Sequence, residues 1–268
     1  MGEVFKNVLI LSLIGSVITL VLLLLKPLTL KRLSVKWQYF TWIMALCMMI
    51  IPFYKLIPKG TIGEILPDEV IGEAALNTQN LFVFRYVRTG ADNIGIDAFS
   101  ALMHIWMLGV CIYFVVIFGS YMKYTRRLKA SCVSELECNA VDKVKSELGV
   151  RKYIRVRVSG EVASPLLVGV FFPTVYIPEK CISDEGMRMV LLHELTHYKR
   201  KDLIFKWAAC ISSAVHWFNP FSHLLCKNIG EVCEFCCDAS VTKKLSESEK
   251  KTYMKTILDI AEERKKIC

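Results

Sequence analysis

Two histidines four residues apart, with a glutamate directly after the first, stand in the segment VLLHELTHYKRKD, residues Val190 to Asp202. On a helix, side chains at positions i and i+4 project from one face, so His193 and His197 can offer ring nitrogens to one tetrahedral ion. Glu194 lies about 100° further round the helix, where its carboxylate can reach a water on that ion. Zinc lowers the pKa of a bound water towards about 7, and a neighbouring carboxylate can accept the proton as a peptide carbonyl is attacked. The spacing therefore predicts a zinc-dependent hydrolase, although so short a pattern also occurs by chance on surface helices.

A third ligand is needed, because catalytic zinc usually has three protein ligands and one open position. The downstream segment GEVCEFCCDASV places Glu234 and Asp238 on the same face of a second predicted helix. Glu234 can complete a set of two histidines and one glutamate, as in gluzincins, and Asp238 can hold a ligating histidine by its other ring nitrogen. Glu231, one turn earlier, is the less favoured ligand.

The cysteines offer an alternative metal site. Cys233-x-x-Cys236-Cys237 could bind a structural zinc ion, but the second pair that usually completes four ligands is missing. Nine of the eleven cysteines follow Lys123 and none lies in residues 58–97. This distribution is compatible with free thiols in a reducing compartment.

The elements that must carry these residues belong to a membrane protein. The 268 residues are 54% hydrophobic with a mean hydropathy of +0.41, yet 22% are charged, which predicts membrane spans joined to a water-exposed domain. Three apolar runs are long enough to cross a bilayer, for which a helix needs about 20 residues: Val8 to Leu25, Trp37 to Tyr54 and Ala98 to Met122. The net charge of +9 is concentrated at the ends of these runs, which favours a role in membrane topology over nucleic-acid binding.

The loops predict the orientation. The link between the first two runs and the segment after the third are rich in lysine and arginine, whereas the segment between the second and third runs carries most of the nearby acids. By the positive-inside rule, residues 1–57 hold two spans and a cytoplasmic link, 58–97 form an extracellular loop, 98–122 form the third span, and 123–268 form a cytoplasmic domain. The N-terminus is then outside, in a multi-pass protein of the cell membrane.

The cytoplasmic part has both strand and helix patterns. KYIRVRVSG and LLVGVFFPTVYIPE are rich in β-branched and aromatic residues, and Gly169 and Pro173 divide the second into two short strands. Ser183 can cap a helix that runs to about Arg200 and carries the histidines. Near the C-terminus, a capping box between Ser246 and Glu249 begins a packing helix.

Residues 203–225 are ambiguous. They are long enough to span a membrane, but polar groups at several depths favour a helix that lies against the bilayer or is buried in the peptidase domain. His216 and His223 are packed or interfacial residues in the simpler interpretation, and a role in substrate binding or oxyanion stabilisation is the alternative.

Several motifs in order resemble one family. His193-Glu-Leu-Thr-His197-Tyr-Lys-Arg-Lys-Asp202, then HWFNP from His216, then Glu234-x-x-Cys237-Asp238 are similar to the BlaR/MecR family of membrane zinc metallopeptidases, as are the preceding SPLLVGVFFPTVYIP and the three apolar runs. The resemblance implies a zinc peptidase domain on the cytoplasmic face. The best-known members sense β-lactams outside the cell, and their activation relieves a transcriptional repressor inside.

The C-terminal end departs from the pattern of these sensors. They continue into a further span and an extracellular penicillin-binding domain, whereas this sequence stops at Cys268. Ser120-Tyr-Met-Lys123 matches the serine acylation motif S-x-x-K, but no S-D-N or K-T-G follows. We therefore expect either a fragment or a short branch of the family, and antibiotic sensing is not predicted.

We predict three N-terminal transmembrane helices followed by a cytoplasmic α+β gluzincin-like domain. In this prediction His193, His197 and Glu234 bind Zn²⁺, Glu194 is the general base, and Asp238 orients a ligand. The protein would be an endopeptidase in regulated proteolysis. Its partners would be the lipid bilayer and a protein or peptide substrate, either a transcriptional repressor or the chain itself, with no direct nucleic acid and with a homodimer left open. The competing hypothesis is a non-enzymatic transmembrane signalling protein in which the zinc site is structural.

Overall fold

The computed structural model describes residues 2–53, 98–135, 139–179 and 184–267. These residues form eight helices and four strands. The helices are α1 Gly2–Arg32, α2 Val35–Ile50, α3 Ala98–Ala130, α4 Asn139–Leu148, α5 Asp184–Arg200, α6 Asp202–Val215, α7 Pro220–Thr242 and α8 Glu247–Ile267. The strands are β1 Cys132–Glu135, β2 Arg155–Ser159, β3 Leu166–Val168 and β4 Thr174–Pro178. The predicted extracellular loop, residues 58–97, and the predicted cap Ser183 lie outside the described residues.

Two helices, α1 and α3, are long and apolar enough to cross a membrane. The segments are Gly2–Leu30 and Ala98–Ala130, and their most apolar 18-residue windows have mean hydropathies of 3.0 and 2.3. Both helices are longer than the predicted spans, since α1 continues through Pro27 and α3 continues past Met122. α2 has 16 residues and is about 24 Å long, which is shorter than the hydrocarbon core of about 30 Å. The second predicted span, Trp37 to Tyr54, therefore remains a prediction.

α2 packs between α1, α6 and α7. Its Trp42, Leu46 and Met49 are buried in one apolar cluster with side chains of these neighbours. Gly15 on α1 permits this packing, because a Cβ atom at that position would lie 2.6 Å from the Met49 side chain. The apolar N-terminal helices and the helices that follow the sheet are thus one packed unit.

The four strands form a small mixed sheet in the order β1-β2-β4-β3. β2 and β4 are parallel, and the outer strands β1 and β3 are antiparallel to their neighbours. The division of the second predicted strand segment at Gly169 and Pro173 is confirmed, whereas β1 was not predicted. Val175 and Ile177 of β4 pack in the main core, where they meet α4 and α5. β3 is left at an edge of the sheet, beside α5.

Residues 203–225 do not form one helix. α6 ends at Val215, and α7 begins at Pro220, where Asn219 caps the helix by accepting a hydrogen bond from the Phe221 N–H at 2.9 Å. The two helices pack against each other as a hairpin that also contacts α1, α2 and α3. The sequence left open whether residues 203–225 cross the membrane, because the two packed helices together have the length and composition of one span.

The hairpin turn is fixed to α1 and α2 by polar contacts. The Asn219 side-chain amide donates to the Ser12 and Ser16 hydroxyls of α1 at 2.8 Å each. His216 Nε2 lies 3.1 Å from the Met49 carbonyl oxygen at the end of α2. Because these groups are largely buried, each bond also avoids leaving an unpaired polar group away from water.

α8 is the predicted packing helix, and its capping box is confirmed. The Ser246 N–H donates to Glu249 Oε2 at 2.9 Å, and the Glu249 N–H donates back to Ser246 Oγ at 3.4 Å. Tyr253 is buried in the main core and Ile257 packs against it. α8 therefore closes the domain next to α5.

Candidate metal centre

The two histidines lie on α5 at one side of a cleft. Leu191, Leu192 and Leu195 anchor the opposite side of the helix in the main core, so the i, i+4 spacing turns His193 and His197 towards the cleft. Their Nε2 atoms are 3.1 Å apart, and the ring planes are nearly perpendicular. The two ring nitrogens thus point to a common position.

Glu234 on α7 completes this arrangement. Its Oε2 lies 3.5 Å from His193 Nε2 and 3.3 Å from His197 Nε2. Ligand atoms about 2.0–2.1 Å from a tetrahedral zinc ion are about 3.3–3.4 Å apart, so the three atoms fit the face of such a site. The other oxygen of Glu234 accepts a hydrogen bond from Lys206 Nζ at 2.7 Å, which fixes the orientation of the carboxylate.

Cys237 is near the same histidines, but behind them. Ligand atoms of His193, His197 and Cys237 all lie within 4.8 Å of one another. The Cys237 Sγ atom, however, is 3.8 Å from His193 Nδ1 and donates to the His193 carbonyl oxygen at 3.3 Å. It therefore faces the side of the ring that is turned away from Glu234, and the oxygen of Glu234 is the better-placed third donor.

His197 is held by a buried carboxylate that the sequence analysis did not assign. Asp202 Oδ2 accepts a hydrogen bond from His197 Nδ1 at 2.8 Å, and only 1% of Asp202 is exposed. Arg200 Nε contacts the same oxygen at 3.1 Å, and the Tyr39 hydroxyl of α2 donates to the other oxygen at 3.4 Å. With its proton on Nδ1, His197 presents the Nε2 lone pair to the metal position.

His193 is held through two residues. Its Nδ1 lies 2.8 Å from the Tyr253 hydroxyl and 3.3 Å from Asp238 Oδ1, and Tyr253 donates its proton to Asp238 at 2.6 Å. The Tyr253 oxygen is then free to accept the Nδ1 proton of His193. The predicted neighbourhood of Asp238 and a histidine is present, whereas Tyr253 was predicted only as part of a packing face.

The carboxylates control the charge of both rings. Burial by itself would lower the histidine pKa values, but hydrogen bonds outweigh it, chiefly from Asp238 at His193 and from Asp202 at His197. The pKa of His197 is raised to about 11, and that of His193 is also well above its ordinary value. Burial opposes ionisation of Glu234, yet its contacts with the two rings hold its pKa far below the usual range. The centre thus combines two basic rings with a persistently ionised carboxylate.

Glu194 borders the same cleft, which has a volume of about 890 Å³. The side chain is buried, and burial raises the pKa of its carboxyl, although His193 and His197 partly offset this effect. A carboxyl whose pKa is raised binds a proton more readily, which suits a group that accepts and returns one. Lys206, which was not predicted, lines the same cleft beside Glu234.

Other candidate side chains point elsewhere. Glu231 Oε2 accepts a hydrogen bond from Lys26 Nζ of α1 at 2.7 Å. His216 is buried against α2, and His223 Nε2 contacts the Trp217 carbonyl oxygen, so neither histidine lines the cleft. The substrate-binding alternative for these two histidines is therefore not supported by their positions.

The three cysteines do not converge on one point. The Cys236 thiol donates to the Val35 carbonyl oxygen at 3.3 Å, and Cys233 is buried with it in the cluster beneath α2. Cys237 instead lies behind His193. This arrangement disfavours the alternative of a structural zinc ion bound by the three thiols.

The sequence profile of the family described as BlaR1 peptidase M56 matches residues 6–267. The match covers nearly the whole chain, and the protein belongs to this family, whose members are metallopeptidases. The family and the paired histidines agree on the same class of chemistry.

Two kinds of relative illustrate the similarity. Regulatory protein BlaR1 of Bacillus licheniformis is 31% identical over 160 residues, which cover 58% of this chain and 26% of the relative. Methicillin resistance mecR1 protein of Staphylococcus aureus is 24% identical over 94% of this chain and 46% of its own length. The chain thus spans less than half the length of these relatives. This similarity and the two apolar helices of the chain together indicate a membrane protein of the peptidase and signalling class.

Proposed function

We propose that the protein is a zinc endopeptidase that acts in regulated proteolysis at the cytoplasmic face of the membrane. The observation that carries the proposal is the convergence of His193 Nε2, His197 Nε2 and Glu234 Oε2 at 3.1–3.5 Å from one another, on the cleft that Glu194 also lines. Both rings expose unprotonated nitrogens when their Nδ1 protons engage the neighbouring acids, so the donor set fits zinc.

The chain's own residues would divide the work as follows. His193, His197 and Glu234 hold the ion, which when bound supplies a Lewis acid for a peptide carbonyl and a water of lowered pKa. Glu194 accepts a proton on its carboxylate and returns it to the leaving amine. Asp202 holds the His197 ring, and Asp238 with Tyr253 holds the His193 ring, through their Nδ1 protons.

The substrate would be an extended segment of a protein or peptide. β3 lies at the edge of the sheet, and its Leu166 and Leu167 line the cleft opposite Ile257 and Ile260 of α8. A free strand edge can pair with an extended chain, and apolar walls favour apolar side chains on that chain. A transcriptional repressor or this protein itself would supply such a segment, consistent with the regulatory names of its relatives.

We infer the membrane arrangement from the charge pattern. α1, α2 and α3 would be three spans, with the N-terminus outside and residues 123–268 forming a gluzincin-like domain on the cytoplasmic side. Because the turn between α6 and α7 contacts Met49, at the outer end of α2, the α6–α7 hairpin would enter the membrane from the cytoplasmic side. In this arrangement, the contacts between Lys26 and Glu231 and between Tyr39 and Asp202 support a zinc site near the inner ends of α1 and α2.

Glu194→Gln tests the enzyme against the alternative of a signalling protein with a structural ion. The change keeps the size of the side chain and removes the proton acceptor, so zinc should stay bound while proteolysis falls by at least about 10²-fold. Zinc content and cleavage of the chain itself and of cellular proteins are to be measured on the same detergent-solubilised preparations. Cleavage by Glu194→Gln at the parental rate would exclude this mechanism, and a zinc-loaded parent that cuts nothing would favour the signalling protein.

A further inference from the structure

The turn between β3 and β4 displays two aromatic side chains. Phe172 is 86% exposed and Phe171 78%, which makes them the most exposed large apolar side chains among the described residues. Gly169 has a φ of +89°, and a Cβ atom at this position would collide with the Phe172 carbonyl oxygen. The tight turn that glycine permits therefore projects both rings away from the sheet. We refer to Phe171 and Phe172 as the aromatic turn.

Basic side chains surround a small cleft beside this turn. Arg151, Lys152 and Lys201, here termed the basic collar, line a volume of about 320 Å³ together with the base of the turn. Lys152 Nζ donates to the Phe171 carbonyl oxygen at 2.7 Å, which ties the collar to the turn. All three are exposed, and within residues 98–135, 139–179 and 184–267 no acidic side chain forms an ion pair with them. The collar is therefore a concentration of positive charge open to solvent.

The aromatic turn and the basic collar lie beside the part of α3 where its sequence changes from apolar to basic. Gly169, at the base of the turn, lies near Tyr121 on α3. Tyr121 is two residues before Lys123, which begins the basic end of this helix. On the other side of the small cleft, Ile204 of α6 is 45% exposed. If α3 crosses the bilayer, the aromatic turn and the basic collar are therefore at the level of the lipid headgroups on the side where α3 ends.

We propose that the aromatic turn and the basic collar form a membrane-docking element that binds anionic phospholipids of the inner leaflet. Aromatic rings are favoured at the boundary between hydrocarbon and headgroups, and basic residues beside an anionic surface strengthen binding by about fivefold each. The charge of the collar selects anionic over zwitterionic lipid, and the continuity with α3 brings the element to the membrane surface. Because the turn directly follows β3, docking also holds the edge of the substrate cleft at the bilayer. The inference rests on α3 as a span and is independent of the zinc chemistry.

Photo-crosslinking tests the contact with lipid. A benzophenone analogue of phenylalanine is placed at Phe172 in the whole chain, reconstituted in nanodiscs of phosphatidylcholine with or without about 30% phosphatidylglycerol, an anionic lipid. Mass spectrometry after illumination should detect phospholipid adducts at this position, at least about fivefold more with the anionic lipid. The same analogue at Leu258, an exposed apolar residue of α8, is the matched control and should yield few adducts.

Charge reversal tests the collar. Arg151→Glu combined with Lys201→Glu should reduce adducts at residue 172 in anionic discs to the level in neutral discs, whereas Lys244→Glu with Lys251→Glu should leave the yield unchanged. Any of three results would overturn the proposal. Phospholipid adducts could form equally at residues 172 and 258, the analogue at residue 172 could crosslink only to protein, or the adduct yield could be unaffected by charge reversal in the collar. The readout needs no proteolysis, and repeating it in Glu194→Gln separates its outcome from that of the peptidase proposal.

Discussion

At the scale of single residues, the two histidines of the centre are held in different ways. His197 donates directly to a fully buried carboxylate, whereas His193 reaches Asp238 mainly through the Tyr253 hydroxyl. Asp202 comes from the start of α6, while Tyr253 comes from α8, so each ring depends on a different helix for its orientation. Loss of such a partner typically costs about 10–100-fold in metal affinity or activity.

The choice of third ligand predicts a contrast between two glutamates on α7. Glu234→Ala removes the oxygen that faces both Nε2 atoms and should lower zinc occupancy sharply. Glu231→Ala removes the partner of Lys26 and should leave most of the zinc in place. Metal content after gel filtration measures both. Zinc lost from Glu231→Ala and retained by Glu234→Ala would show that the ligand assignment on α7 is wrong.

Zinc binding should depend on pH in a defined direction. The pKa of His197 is raised from 6.5 to about 11 in the metal-free protein, so near pH 7 the ring is protonated and the ion must displace that proton. Affinity should therefore rise with pH, by about tenfold per unit for each proton displaced. The folding stability of the metal-free protein should change with pH in the opposite direction. The raised pKa of His197 stabilises the folded state fully below pH 6.5, and this contribution is lost as the pH rises towards 11. Chelator competition at several pH values measures the affinity, and a pH-independent value would contradict the expectation.

The residues of the candidate centre that could be predicted from the sequence are those related by helical spacing. His193, Glu194 and His197, and likewise Glu234 and Asp238, are related by local geometry that any helix preserves. Tyr253 and Lys206 could not be assigned, because their contacts depend on how α8 and α6 pack against α5 and α7. Asp202 lies within the first motif, but it follows a run of charged residues that is typical of a solvated surface. Only its burial in the folded protein identifies it as the carboxylate that holds His197.

At the scale of elements, the α6–α7 hairpin joins the apolar helices to the candidate metal centre. α6 begins with Asp202 and also carries Lys206, α7 carries Glu234 and Asp238, and the turn between these helices contacts α1, α2 and α3. Composition alone could not reveal this hairpin, because its apolar residues pack against other helices and resemble those of a span. The short strands were better predicted, since Gly169 and Pro173 mark the turn between β3 and β4.

Two glycines on α3 provide a test of the hairpin packing. A Cβ atom at Gly109 would collide with the indole ring of Trp217 in the hairpin turn, whereas one at Gly119 has no heavy atom within 4 Å. Gly109→Ala should therefore lower the midpoint of thermal unfolding in detergent. Gly119→Ala should leave it unchanged or raise it, because alanine is favoured over glycine in helices by up to about 1 kcal/mol. Equal effects of the two substitutions would argue against this packing.

At the scale of the whole molecule, the distribution of charge predicts the topology. In a background without native cysteines, a membrane-impermeant thiol reagent applied to intact cells should label cysteines introduced between Thr61 and Asn93. It should not label those between Lys129 and Lys180, which belong to the predicted cytoplasmic domain. The physical reason is that cytoplasmic loops of membrane proteins carry an excess of lysine and arginine. Labelling of the second region from outside would invert the arrangement and separate the proposed peptidase from any cytoplasmic substrate.

The continuity of α7 restricts how the chain can change in length. One uninterrupted helix runs from the turn at Asn219 to the carboxylates of Glu234 and Asp238. A single residue inserted between Asn228 and Glu234 would alter composition little, yet it would rotate the carboxylates by about 100° and shift them by about 1.5 Å relative to the turn. Four inserted residues would nearly restore the phase but move the same groups by about 6 Å along the axis. Insertions and deletions compatible with an intact centre are therefore expected in the short connection between α7 and α8, and not along α7 itself.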